Sequence, residues 1–310
     1  MVQDKNYKML FVIGAGRSGT TLLAELLGGY SGAFRVDEKR YTWAYGAYWR
    51  AHDVRGPEDA TPKVCSYIQG YFNKIAKQEM AFWLIEKTPS NCFRIGFVDQ
   101  IYPGSKYIHI VRDGRAAAYS SYRSFLGEKV HDEIGGALAK RKLSHRIQYL
   151  VQRFPELIRR ITYGDLPPTG WLPFVLRKGK EVVQTLLSDR PALWGARYPG
   201  IEKDRTRLAP LGLAALQWRK SIDAAQEGLK CYIPEDRWIE VRYEELVNDP
   251  VQVLERITEW AGIEANQTDH EELAKIIRKP AKDNWKQHLS SDDQALLDEH
   301  LGQHLLKLGY

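Results

Sequence analysis

The sequence predicts an α/β fold: three layers, with a central parallel β-sheet flanked by helices on both faces. Three observations carry this. Short apolar runs recur, among them Lys8 to Gly14 (KMLFVIG), Phe82 to Ile85 and Lys106 to Val111, and near-continuous apolar runs are what strands buried on both faces look like. Each run stops at a glycine or a cluster of charged residues. Stretches with helical spacing and helix-end residues separate them, and strand–helix alternation of this kind covers a parallel sheet on both sides.

Taken in order, Lys8 to Gly14 reads as the first strand and Thr20 to Leu27 as a helix. Residues 34 to 38 (FRVDE) read as a short second strand. Pro57 to Gln78 reads as one helix, with proline suited to its first turn because that N–H has no helical partner anyway. Phe82 to Ile85 reads as a strand ending in Glu86-Lys87-Thr88-Pro89, and Ser90 as the N-cap of a helix running to Ile101. Lys106 to Val111 forms the next strand, ending in Arg112-Asp113-Gly114-Arg115, with a helix after it. Arg237 to Val241 is the last strand, leading through Arg242-Tyr243-Glu244-Glu245-Leu246 to a helix from Pro250 to Ala261 closed by Gly262. Residues 127 to 215 break the alternation. They read as a helical and loop insertion over the functional edge of the sheet, within one domain spanning residues 1–310.

The chain of 310 residues can bury a large single core. Its net charge of +6 favours anionic partners such as a nucleotide or an acidic glycan, or reads as a solvated basic surface. Cys65, Cys92 and Cys231 form no CxxC pair and no metal pattern, which points to a reducing compartment. The stretch from Met1 to Lys8 is polar, and no run approaches the roughly 18 apolar residues of a spanning helix. The expectation is a cytoplasmic protein with no membrane span, no nucleic-acid module and no metal, a homodimer being left open.

The loop Gly14-Ala15-Gly16-Arg17-Ser18-Gly19-Thr20-Thr21 joins a strand to a helix N-terminus. Unpaired backbone N–H groups and the positive end of the helix dipole make this an anion site, to which Arg17 adds a forked cation and Ser18, Thr20 and Thr21 add hydroxyls. Three ligand classes compete. A nucleoside triphosphate needs G-x-x-x-x-G-K-[ST], and Thr20 stands where the lysine should be. A dinucleotide fits Gly14, Gly16 and Gly19 as G-x-G-x-x-G, with Asp37 or Glu38 about 20 residues on; this is the alternative, an NAD(P)-dependent oxidoreductase using the GAGRSG loop. A sulfonucleotide carries a second phosphate on its ribose and needs a second anion site, for which Arg112 at a strand end and Ser120 on the following helix are the candidates.

In the form G-x-x-R-S-G-T-T-L, the first loop resembles the 5'-phosphosulfate loop of sulfotransferases that use 3'-phosphoadenosine 5'-phosphosulfate (PAPS). Val111-Arg112-Asp113-Gly114-Arg115, with Ser120 eight places after Arg112, resembles that family's 3'-phosphate motif. Val241-Arg242-Tyr243-Glu244-Glu245-Leu246-Val247 followed by Asp249-Pro250 resembles its late strand-to-helix motif, and Arg278-Lys279-Pro280 with Trp285-Lys286 its nucleotide-closing loop. The likeness covers residues 8 to 125 and 215 to 310. Its motifs are nearest to the tyrosylprotein, glycan and bacterial sulfotransferases. It implies a P-loop-like fold, PAPS as donor and adenosine 3',5'-bisphosphate (PAP) as product, with cofactor-binding residues Arg17, Ser18, Gly19, Thr20, Thr21, Arg112, Ser120, Tyr243 and Lys282.

Sulfuryl transfer is argued by analogy with phosphoryl transfer: in-line attack, diffuse charge on the moving group, a base for the acceptor proton and a cation for the leaving oxygen. The implied base is Glu38, because Val36-Asp37-Glu38-Lys39-Arg40 resembles the G-E-E-T-R of tyrosylprotein sulfotransferases, departing from it at Val36 and Asp37. Asp37 is the second choice. A histidine base is the third, with His109 reading as a core residue of its strand and His52 and His131 in unassigned stretches. The implied electrophilic cation is Lys87, since Glu86-Lys87-Thr88-Pro89 resembles the E-K-T-P of glycan sulfotransferases, and Arg17 would share that role. Trp171, Arg177, Trp194, Arg197 and Tyr198 read either as an acceptor wall or as packing beneath the insertion. A glycan, a small molecule and a peptide tyrosine all remain open as acceptors, as does a nucleotide-regulated binding protein without catalysis.

Overall fold

The computed structural model describes residues 7–125, 168–187, 193, 195–277 and 285–310. The chain opens with β1 (Lys8–Ile13), whose last five residues are buried, followed by α1 (Thr20–Leu27), β2 (Ala33–Val36) and the single turn α2 (Arg40–Trp43). Next come α3 (Pro62–Gln78), β3 (Trp83–Glu86), α4 (Ile95–Ile101), β4 (Lys106–Val111) and α5 (Gly114–Phe125). Beyond them lie α6 (Pro168–Leu187), α7 (Ile201–Arg207) and α8 (Pro210–Tyr232). β5 (Trp238–Arg242) leads directly into α9 (Tyr243–Asn248), then α10 (Pro250–Ala261), α11 (Gln267–Ala274), α12 (Trp285–His288) and α13 (Ser291–Lys307).

The five strands form one sheet in the order β2-β3-β1-β4-β5, and every adjacent pair is parallel. Phe11 lies opposite Glu86, Ile13 opposite His109 and Val111 opposite Arg242, so all the strands end along one edge. The chain leaves β1 toward β2 and β3 on one side and later crosses to β4 and β5 on the other. The C-terminal ends of β1 and β4 therefore frame a crevice at a switch in strand order, where open parallel sheets bind ligands.

Side chains of β1 alternate between two cores, as a period of two requires. Phe11 faces α3, α4 and α8 and packs with Phe72, Phe97 and Tyr107; Leu10 and Val12 face α1 and α10 and pack with Leu23, Leu27, Leu254 and Ile257. A third cluster joins α5 and α8 to α13 through Ala117, Trp218, Ile222, Leu297 and Leu301. Each fully buried Leu or Phe contributes about 1.5–3 kcal/mol. The α/β reading is thus what the structure shows: a parallel sheet between two helical layers. Among the described residues, no helix is long and apolar enough to cross a membrane.

Several element boundaries differ from the sequence reading. The helix expected over Pro57 to Gln78 is a 3-10 turn (Pro57–Asp59) and then α3. Pro62 lacks an N–H and its ring excludes a helical turn before it, so Thr61 is extended at φ −63° and ψ 157°. Ser90 is not an N-cap. It sits within a 3-10 turn, Pro89–Phe93, and accepts a 2.6 Å hydrogen bond from Arg94 Nη2. β2 stops at Val36, which leaves Asp37 and Glu38 beyond the strand end. β3 and β5 each run one residue later than expected; Arg237 instead pairs with Asp99 at 2.8 Å. Pro210 opens a helix that continues through residue 215, the expected end of the insertion.

Candidate functional site

The loop after β1 is tight because its backbone has little room. A Cβ at Gly14 would lie 2.5 Å from the Ile110 carbonyl oxygen of β4. Two residues take left-handed backbone, Arg17 at φ 68° and Gly19 at φ 92°. For arginine this conformation costs about 1–3 kcal/mol, a strain that concentrates in ligand clamps. Gly19 caps α1 without a side-chain hydrogen bond, so the first-turn N–H groups look into the crevice. Ser18 is fully buried and its Oγ has no hydrogen-bond partner. A buried hydroxyl with nothing to bond is costly, and this one is satisfied by an oxyanion held at the helix N-terminus. Thr20 is buried behind the loop and Thr21 is exposed on the first turn.

β4 brings a second cation to the same crevice. Arg112 Nη1 donates to the Arg17 carbonyl at 3.1 Å, and Arg17 Nε donates to Ser120 Oγ at 2.9 Å. The two guanidinium groups thus meet around Ser120. Burial, and after it the neighbouring Arg112 charge, holds the Arg17 guanidinium below its usual range, as expected where an anion is to be received. Tyr243, at the start of α9, lies between these groups: its ring is 4.4 Å from the Arg112 guanidinium and would be 2.3 Å from a Cβ at Gly19. Gly19→Ala should therefore lose about 1–3 kcal/mol through overpacking and backbone strain, read as a lower urea midpoint at unchanged slope. A wild-type midpoint would show that the Tyr243 ring yields.

The strand end carrying Arg112 is braced by residues that sequence reasoning did not single out as contacts. Glu244 accepts from the Asp113 N–H at 3.0 Å and from the Tyr310 hydroxyl at 2.7 Å, and Asp113 takes the Arg115 side chain at 2.9 Å. The last residue of the chain thereby reaches the crevice. Trp285 is buried and lies 5.2 Å from the Arg115 guanidinium. Lys282, with Arg278, Lys279 and Pro280, lies outside the described residues.

On the other side of β1, Lys87 Nζ donates to Glu38 Oε1 at 2.5 Å. The lysine side chain is 7% exposed and the glutamate 51%: a buried cation holds a carboxylate that faces outward. Glu86 arranges the pair from below. It is fully buried and accepts from Trp43 Nε1 at 2.8 Å, Thr88 Oγ1 at 2.5 Å and Asn91 Nδ2 at 2.8 Å. Burial pushes its carboxyl above the ordinary range, against these hydrogen bonds and the Arg94 and Lys87 charges. Thr88 Oγ1 in turn accepts from the Lys39 N–H at 3.3 Å. One buried carboxylate thus ties the segment after Lys87 to the segment after Glu38. The Glu86-Lys87-Thr88-Pro89 motif was visible in the sequence, but not that its first member lies in the core.

The structure separates the remaining candidates. Asp37 turns to Arg35 Nη2 at 3.2 Å and is mostly exposed. His109 is buried within β4, its Nδ1 at 3.1 Å from Glu240, a core histidine remote from solvent. His52 lies in a pocket with Arg40, Arg94 and Arg177; His131 and Trp194 lie outside the described residues. Tyr198 is buried and donates to Asp204 at 2.9 Å, so it packs beneath rather than lining an acceptor wall. Trp171 is exposed, and Arg197 is buried at the edge of a pocket.

Comparison with known proteins agrees with this geometry. The model of a family described as "Sulfotransferase family" matches residues 10–166 and 174–267. An uncharacterized protein from Aquifex aeolicus is 22% identical over 268 residues, 79% of this chain and 32% of that protein. A Caenorhabditis briggsae protein named as a candidate protein-tyrosine sulfotransferase is 28% identical over 120 residues, 36% of this chain and 42% of its own length. The chain thus matches less than half the length of either relative. Among solved structures, the sulfotransferase domain from the curacin biosynthetic pathway matches with a TM-score of 0.51 at 15% identity, covering 98% of both chains; that likeness concerns the fold.

Proposed function

From the premise that this chain belongs to the sulfotransferase family, we propose that it transfers the sulfuryl group of PAPS to a hydroxyl or amine of an acceptor molecule. The donor, when bound, supplies a sulfuryl group activated by its phosphosulfate linkage. The chain's own residues divide the remaining work. The N–H groups of the Gly14–Thr21 loop, with Ser18 Oγ and Arg17, are suited to the 5' anion, because the buried Ser18 hydroxyl lacks a partner and the helix end is uncapped. Arg112 and Ser120 are suited to a ribose 3'-phosphate, which tells this nucleotide from NAD. Glu38 takes the acceptor proton and Lys87 neutralises charge on the leaving oxygen. Arg17 bonds to Ser120, so in this reading it bridges the two anions.

The observation that carries the proposal is the pairing of two cationic groups, Arg17 and Arg112, around one serine beside an uncapped helix. A dinucleotide site needs close backbone approach and offers no use for both guanidinium groups. The test is thermal stabilisation by PAP against NAD, NADP and ATP. A ligand at about a hundred times its Kd adds about 2.7 kcal/mol to stability, so a selective response to PAP is the expected result. A response to NAD alone would move the reading to the oxidoreductase, and steep salt-dependent binding of oligonucleotide to a nucleic-acid partner. Transfer from radiolabelled PAPS to a panel of hydroxyl compounds then tests catalysis.

A further inference from the structure

We propose that the acceptor is an anion, its acidic group held in a pocket walled by Arg40, Arg94 and Arg177 and its ring or aliphatic body lying along Tyr48, Trp49 and Leu176. This rests on the sulfuryl-transfer reading and names the substrate class of that same site.

The pocket descends from the Glu38–Lys87 pair on two sides. Arg40 begins α2, two residues after Glu38; Arg94 follows the 3-10 turn that leads on from Lys87. Arg40 is held by Asp53 at 2.8 Å and by the Gly195 carbonyl at 3.1 Å. Arg94 is buried and fixed by Asn91 at 2.8 Å and Ser90 at 2.6 Å. These cations are therefore set in place by the fold rather than waving in solvent. A second pocket shares Arg177 and carries the apolar wall, of which Trp49 and Leu176 are more than half exposed.

Charge decides what the two pockets accept. Among the described residues, the linings hold seven cations (Arg40, Arg50, Arg55, Arg94, Arg177, Lys180 and Arg197) against two carboxylates, Asp53 and Glu202. Counting Asp59, which takes two hydrogen bonds from Arg50, still leaves cations in excess by more than two to one. Burial and the Arg40 charge pull the Arg94 guanidinium down to about 10, against the pull of Asp53, and burial does the same to Arg55. Positive charge concentrated in this way is relieved by a bound anion, and a neutral acceptor would leave it uncompensated. The forked guanidinium groups suit planar carboxylate, sulfate or phosphate.

The experiment uses the full chain saturated with PAP and titrated calorimetrically with para-hydroxyphenylacetate and with its neutral amide. PAP stabilisation is recorded for every sample, so loss of the donor site is seen separately from loss of the acceptor preference. The expected result is binding of the acid about tenfold or more tighter than the amide, the scale of one charge-assisted hydrogen bond, and loss of that preference in Arg177→Ala and Arg50→Ala, both of which retain the PAP response. Equal binding of acid and amide, no binding of the acid in the millimolar range, or an unchanged preference in both variants overturns the proposal. An acid preference without any PAP response supports the pocket and overturns the donor reading.

Discussion

Glu38→Gln should bind PAP as the wild type does and lose about a hundred- to ten-thousandfold in turnover, the range attributed to a positioned general base. Glutamine keeps the shape and one carbonyl oxygen, so Lys87 retains a hydrogen-bond acceptor. The side chain is half exposed, which makes its ion pair worth roughly 0–1 kcal/mol to the fold. A loss of activity larger than tenfold with an unchanged thermal midpoint therefore reports on chemistry. Transfer at the wild-type rate would remove Glu38 from the role of base. Asp37 would not inherit it, being turned toward Arg35, and His109 is sealed within β4.

The second large effect is expected at Lys87. Its ammonium is buried against the sheet edge and touches Glu38 at 2.5 Å, a fixed charge at the C-terminal end of β3. Lys87→Ala should lower kcat by about a hundred- to a thousandfold, the scale for removal of one preorganised stabiliser of developing charge, while leaving the PAP response intact. The double variant with Glu38→Gln should lose less than the product of the two single effects, because groups that act on one transfer event are not independent. Single-turnover measurements with radiolabelled PAPS read both. Multiplicative losses would mean that the two residues serve separate steps, and a wild-type rate in Lys87→Ala would shift the electrophilic role to Arg17.

The fold was legible in the sequence to a greater depth than the site. The strands at Lys8–Ile13 and Lys106–Val111 are apolar throughout because both sheet faces are covered, and that burial is written in composition at the strand itself. Gly14 and Gly19 announce a tight loop because no other residue tolerates their surroundings. Boundaries were less legible where one proline decides. Pro62 restarts a helix that periodicity alone would run together, and Arg94, not Ser90, stands before α4.

What the chain's order of residues determined by itself is local: runs that must be strands, a loop that must meet an anion, and motifs whose likeness to a family names the chemistry to look for. The tertiary structure decided which of these meet. Glu38 and Lys87 are 49 positions apart and touch because β2 pairs with β3; Arg17 and Ser120 are 103 apart and touch because β1 pairs with β4. Strand adjacency is a property of the whole sheet and its packing, set by how each apolar face is covered, and no short window of sequence contains it. The same holds for Glu86, an ordinary acidic residue in its motif, which the fold buries beneath three donors and makes the tie between the segments after Glu38 and Lys87.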